Sequence, residues 1–217
     1  MIKAAIFDLD GLLIDSEPLW QKAEIKVFNS IGVPLTKAVV AQTIGLRTDA
    51  TVHYWHQRYA WTGPSEENVC KQIDDMVIAL IEREGTSKEG VEEIIAICER
   101  LDVLLAIASS SSLPIINAAI TKLKLDDKLK VVHSAESEVS GKPDPAVYLH
   151  TAEKLGVKPS DCLAFEDSES GVLSAKAASM FCIAVPVPEQ YDNKEYRIAD
   201  IVVTSLLDVT AAMIQGL

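Results

Sequence analysis

"AAIFDLDGLL", Ala4–Leu13, carries an apolar run into two aspartates, Asp8 and Asp10, with Gly11 directly behind them. Carboxylates are almost never fully buried unless paired or bound to a cation. A buried strand that ends in two of them is either an acidic turn or a site where one acid attacks and another moves protons. A calcium loop is a weak third reading, because it needs glycine at its sixth position and glutamate at its twelfth. Counted from Asp8, the glycine falls fourth and the twelfth residue is Leu19.

Further along the chain, "VLLAIASS", "KVVHSAE", "DCLAFED", "FCIAVPV" and "DIVVTS" have the same buried-strand character. Between most of them lie segments of helical period: "VEEIIAICERLD", "PIINAAITKLKL", "PAVYLHTAEKLG" and "SGVLSAKAAS". Strands alternating with helices over such lengths predict an α/β fold with an open parallel, Rossmann-like sheet. From Asp15 to Glu84 the alternation stops. "PLWQKAEIKVFNSIG" reads as a helix with Pro18 in its first turn and Gly32 at its close, and "ENVCKQIDDMVIALIEREG" as a second long helix ending at Gly85. The expected division is therefore an α/β core of residues 1–14 and 86–217 with an all-helical cap of residues 15–85.

Composition narrows the setting. The 217 residues are 48% hydrophobic and 24% charged, an ordinary balance for a soluble chain with a real core. A formal net charge of −12 argues against nucleic acid or an anionic membrane surface as main partner, though not against a small anionic substrate. Cys70, Cys98, Cys162 and Cys182 form no C-x-x-C pair and read as reduced structural thiols. With no signal-peptide layout and no run near the ~18 apolar residues of a membrane span, a cytoplasmic monomer is expected.

In open α/β sheets ligands collect beyond the carboxyl ends of the strands. There the chain places Asp8 and Asp10, then Ser109, Ser110 and Ser111, then Lys142 in "SGKPDP", then Glu166, Asp167 and Ser168. Singly, the serines would be a helix cap, Lys142 a solvated lysine and "FEDSESG" an acidic turn. Together and in order they offer a nucleophile, phosphate donors, a fixed cation and metal-binding acids.

On these residues the chain resembles a phosphohydrolase of the haloacid dehalogenase superfamily with a helical cap. The motifs are "DLDGLLIDSE", "ASSS", Lys142 before Pro143, and "EDSESG". The resemblance implies that Asp8 attacks phosphorus to form an aspartyl-phosphate and that Asp10 is the acid/base. It implies Mg²⁺ held by Asp8, the Asp10 carbonyl and Asp167, with Glu166 as a further ligand or as acceptor for a bound water. Ser109 and the Ser110 amide would hold phosphate oxygens, and Lys142 would neutralise them. An acid that donates must hold a proton, so the surroundings of Asp10 should raise its pKa relative to Asp8. The second aspartate sets the chain apart from the dehalogenases and phosphonate hydrolases of the superfamily, which lack it. A non-catalytic binder of Mg²⁺ or phosphate would be expected to have lost one of Asp8, Asp10, Lys142 or Asp167, and all four are present.

"GLRTD", "SEPLW" and "WTGPS" are similar to cap segments of the sugar phosphatases, including the 2-deoxyglucose-6-phosphate and hexitol phosphatase group. Arg47 is then either a substrate contact or a surface arginine after a helix break. The expected activity is Mg²⁺-dependent hydrolysis of a small sugar or polyol phosphate. The alternative is a sugar phosphomutase of the beta-phosphoglucomutase type, which carries a histidine near the position of Trp20. Trp55 and Trp61 read as cap packing.

Overall fold

The computed structural model describes all 217 residues. Strand β1 (Ala4–Phe7) is followed by four helices, α1 (Glu17–Ser30), α2 (Lys37–Val40), α3 (Thr48–Tyr59) and α4 (Glu66–Glu84). The alternating part then runs α5 (Val91–Arg100), β2 (Leu104–Ser109), α6 (Leu113–Leu123), β3 (Val131–Ser134), α7 (Ala146–Leu155), β4 (Cys162–Glu166) and α8 (Glu169–Ala177). It closes with β5 (Phe181–Ala184), β6 (Ile201–Val202) and α9 (Ala211–Gln215). All six strands are parallel, in the order β3-β2-β1-β4-β5-β6. The strand that opens the chain is therefore central, and the connections leave it in opposite directions. That reversal creates the crevice in which such sheets bind ligands.

The two faces of the sheet pack into separate apolar clusters. Ala5 and Phe7, Leu105 and Ile107, and Leu163 and Phe165 point into one apolar cluster, where Phe7 and Phe165 stack with ring centroids 4.7 Å apart. Ala4 and Ile6, Ala106 and Ala108, and Cys162 and Ala164 point into the other, which α7 and α8 cover. Small residues there let the helices lie close. With both faces covered, the strands are apolar at every position of β1, as a buried parallel sheet requires.

The helical segment leaves and rejoins the sheet through a paired hinge. Asp15 donates its N–H to the Thr86 carbonyl at 2.9 Å and Lys88 to the Leu13 carbonyl at 3.0 Å, with Ile14 and Ser87 in an antiparallel bridge. α1 ends at Ser30 and Gly32 follows with φ +82°, a left-handed turn that glycine makes without strain. Gly85, after α4, is needed for a different reason: a Cβ there would lie 2.6 Å from the Ile81 carbonyl oxygen. Trp55 and Trp61 are buried, and Trp61 packs edge-on against Phe28. No helix is long and apolar enough to cross a membrane.

Candidate active site

Register delivers the first two acids. Phe7 lies opposite Phe165 in β4 and Ile107 in β2, and the Asp8 N–H continues the ladder to the Phe165 carbonyl at 3.0 Å. Asp8 therefore stands beside Glu166 at the carboxyl edge. Gly11 turns the chain with φ +81°, and a Cβ on it would sit 2.1 Å from Asp167 Oδ2. The glycine behind the aspartates is thus required twice, for its backbone angle and for the approach of Asp167.

Lys142 locks this group. Its Nζ donates to Asp8 Oδ1 at 2.6 Å, to Glu166 Oε1 at 2.5 Å and to the Ala108 carbonyl at 3.0 Å, using all three donors of the ammonium. Burial works against that charge, yet the carboxylates of Asp8 and Glu166 outweigh it and raise the Lys142 pKa above the ordinary lysine value. Glu166 is fully buried and also accepts the Tyr148 hydroxyl at 2.6 Å and the Ser168 hydroxyl at 3.2 Å. Burial pushes Asp8 up to about 7, with Lys142 opposing and Glu166 and Asp10 reinforcing. Burial also lifts Asp167 well above the carboxylate range, helped by the charges of Asp8 and Glu166. Asp8 rises because it is sealed among other carboxylates.

Oxygen atoms of Asp8, Glu166 and Asp167 lie within 4.8 Å of one another. That donor set suits a hard divalent cation, which would draw these raised pKa values back down. Of the three, Glu166 has both oxygens engaged, one by Lys142 and Tyr148 and the other by Ser168.

Asp10 is held differently, by three donors. Ser16 Oγ and Trp20 Nε1 donate to Oδ1 at 2.6 and 3.0 Å, and Ser111 Oγ donates to Oδ2 at 2.6 Å. After β2, Ser109 Oγ accepts the Ser111 N–H at 3.1 Å and Ser134 Oγ donates to the Ser111 carbonyl at 2.6 Å, which fixes the serine turn. Ser110 lies in that turn, half-buried. Arg47 bonds outside the Asp8 cluster. Its Nε and Nη2 donate to Asp49 at 2.7 and 2.5 Å, and its Nη1 reaches across to the Ala135 carbonyl at 3.2 Å. Ser112 Oγ also donates to Asp74 Oδ2 at 3.0 Å, joining the core to the helical layer.

Residues 5–185 match the family model of the haloacid dehalogenase-like hydrolases. The chain belongs to that family. Among curated relatives, hexitol phosphatase B of Escherichia coli K12 is 41% identical over 216 residues, 99% of this chain and 97% of its own length. A phosphorylated carbohydrates phosphatase of Thermotoga maritima is 30% identical over 89% of both chains. Among solved structures, CbbY of Rhodobacter sphaeroides in complex with phosphate superposes with a TM-score of 0.87 at 24% identity over 96% of each chain. A beta-phosphoglucomutase of Clostridium difficile gives 0.84 at 22% identity over all of this chain and 96% of its own. At those identities the structures show a shared fold. The chain is a hydrolase whose sequence groups with the phosphatases of the haloacid dehalogenase-like family.

The structure brings together Asp8, Glu166, Asp167 and Lys142, with Asp10 held beside the serine turn. Ser16, Ser111 and Tyr148 touch Asp10 or Glu166 only after folding. Trp20 carried the sole advance signal, its place just past the first motif.

Proposed function

We propose that this protein is a Mg²⁺-dependent phosphomonoester hydrolase of hexitol or related sugar phosphates, working through an aspartyl-phosphate on Asp8. The observation that carries the proposal is the convergence of one buried ammonium and three carboxylates on the end of β1, with the Asp10 carboxyl beside them. The likeness to hexitol phosphatase B supports the substrate class. The working division remains a core of 1–14 and 86–217 with a cap of 15–85.

Asp8, Asp167 and the Asp10 carbonyl would hold the cation, with Glu166 anchoring Lys142 behind them. The donor set fits, being all oxygen, and the missing Cβ of Gly11 leaves the room that Asp167 occupies. Bound there, the cation would offset the repulsion between Asp8 and a phosphate dianion. An Asp8 oxygen forms a bond to phosphorus as the bond to the sugar oxygen breaks, and Asp10 gives that oxygen a proton. Asp10 then takes a proton from water as the water attacks the phosphoaspartate, which releases phosphate and restores Asp8. Ser109 and the Ser110 amide orient phosphate oxygens, and Lys142 balances their charge.

The bonds to Asp10 indicate which oxygen carries the proton. A serine hydroxyl can turn from donor to acceptor, whereas an indole N–H can only donate. Oδ1 faces Trp20 and stays an acceptor, so Oδ2, facing Ser111, is the oxygen that holds the transferable proton.

Phosphate release from a panel of hexitol, hexose, pentose and nucleotide monophosphates, with Mg²⁺ and with EDTA, tests the proposal. Metal-dependent release concentrated on hexitol or hexose phosphates is expected. Isomerisation of one sugar phosphate without release would move the chain to the phosphomutases.

A further inference from the structure

A second group of metal-binding side chains involves none of the catalytic acids. His133 comes from β3, Glu138 from the loop after it and His150 from α7, and their potential ligand atoms lie within 4.8 Å of one another. His133 Nε2 is 2.6 Å from Glu138 Oε1, and His150 Nδ1 is 2.8 and 2.9 Å from the two Glu138 oxygens. The side chains of His133 and Glu138 are 5% and 6% exposed, whereas that of His150 is 49% exposed, so the group is walled on one side and open on the other.

We propose that His133 Nε2, the Glu138 carboxylate and His150 Nδ1 form a second metal site, for a zinc-class transition ion, that ties the loop carrying Lys142 to α7. Two imidazoles and one carboxylate are the donors of Zn²⁺, Co²⁺ or Ni²⁺, whereas Mg²⁺ prefers oxygen and keeps its waters. The protein then sorts two ions by chemistry, a hard one at the Asp8 cluster and a borderline one here. Three protein ligands leave a fourth tetrahedral position, which the open side gives to water. Ligands at ~2.1 Å in a tetrahedron stand about 3.4 Å apart, so the present contacts must widen by less than about 1 Å. The exposed His150 can supply that movement.

Lys154 opposes the ion. Its Nζ lies 2.6 Å from His133 Nδ1 and donates to it, which places the ring proton of His133 on Nε2, toward Glu138. Ligation uses the Nε2 lone pair, so the ring proton moves to Nδ1 and the exposed Lys154 turns aside. Glu138 precedes Lys142 by four residues, so an ion at this site shortens the free span of the loop that grips Asp8 and Glu166.

The test is calorimetric titration of the EDTA-stripped and dialysed full chain with Zn²⁺ in millimolar Mg²⁺. One equivalent should bind with micromolar or tighter affinity. Glu138→Gln and His150→Ala should each weaken binding by about tenfold or more, and Lys154→Met should tighten it. Asp167→Asn should leave it in place. Co²⁺ in place of Zn²⁺ should give the visible absorption of a tetrahedral nitrogen–oxygen site. His150 is half-exposed, so His150→Ala remains a folded control if Glu138→Gln does not fold. Absence of binding in Mg²⁺, or binding that survives His150→Ala and is lost in Asp167→Asn, would overturn the proposal.

Discussion

The carboxyl edge of the sheet and the helical layer above it are built to different standards. At the edge, the groups around Asp8 are buried and held several times over: Lys142 by three acceptors, Glu166 by Lys142, Tyr148 and Ser168. The polar contacts between the helical layer and the core are scattered: Ser16 and Trp20 donate to Asp10, Ser112 to Asp74, Arg47 to the Ala135 carbonyl and Lys122 to the Glu82 carbonyl. A net hydrogen bond contributes only ~1 kcal/mol, so each of these contacts is weak beside the charged cluster, and the apolar cluster that Val77 and Ile81 share with Leu105 and Ile107 joins the two regions. The charged groups are preorganised at the sheet edge, and the helical layer meets them through Asp10.

Substitutions on the two sides should therefore differ in size. Asp8→Asn should abolish turnover, and Asp10→Asn should lower kcat by about 10²–10⁴-fold while leaving cation binding intact, as read by steady-state phosphate release and Mg²⁺ titration. Lys142→Ala leaves two buried carboxylates without their cation and should cost about 3–5 kcal/mol in denaturant unfolding, with part of the loss recovered in Mg²⁺. Gly11→Ala forces a left-handed alanine and a clash with Asp167. It should cost ~1–2 kcal/mol and weaken the cation disproportionately. Trp20→Phe, on the helical side, should reduce kcat by less than about tenfold, the scale of one lost hydrogen bond. An Asp10-sized effect at Trp20 would erase the distinction between the two regions.

Asp8 gives a pH dependence of known sign. Its pKa is raised to about 7 in the cation-free protein, above its unfolded value, so between about pH 4 and 7 the folded chain holds a proton that the unfolded chain lacks. This group's contribution to stability is full below that window and is lost as pH rises through it. Cation binding needs the protons of both Asp8 and Asp167 gone, so the apparent Mg²⁺ affinity should climb as pH rises through about 7. Calorimetry in buffers of differing ionisation heat reads the proton released.

What was legible in the sequence follows from the same contrast. The central strands β1 and β4 are short apolar runs buried at every position, and Asp8, Ser109 and Glu166 sit at or directly after strand ends, so the centre of the sheet and most of its edge can be read locally. α3 cannot. "TDATVHYWHQRY" is rich in β-branched, aromatic and histidine residues of modest helix propensity and is held by packing around Trp55. Arg47, at the start of that helix, left two readings open, and the structure shows it bonded to Asp49 and to a core carbonyl. Ser111 and Tyr148 reach partners 101 and 18 residues away, and no local pattern encodes such contacts.

The measurement that tests the central claim most directly is trapping of the covalent intermediate. The Mg²⁺-loaded enzyme would be mixed with a turned-over hexitol phosphate, quenched in acid and reduced with borohydride, which converts an aspartyl-phosphate to homoserine. Peptide mass spectrometry should find that conversion at Asp8 and not at Asp10 or Asp167. Steady turnover with an unmodified Asp8, or with the label on another carboxylate, would contradict the account.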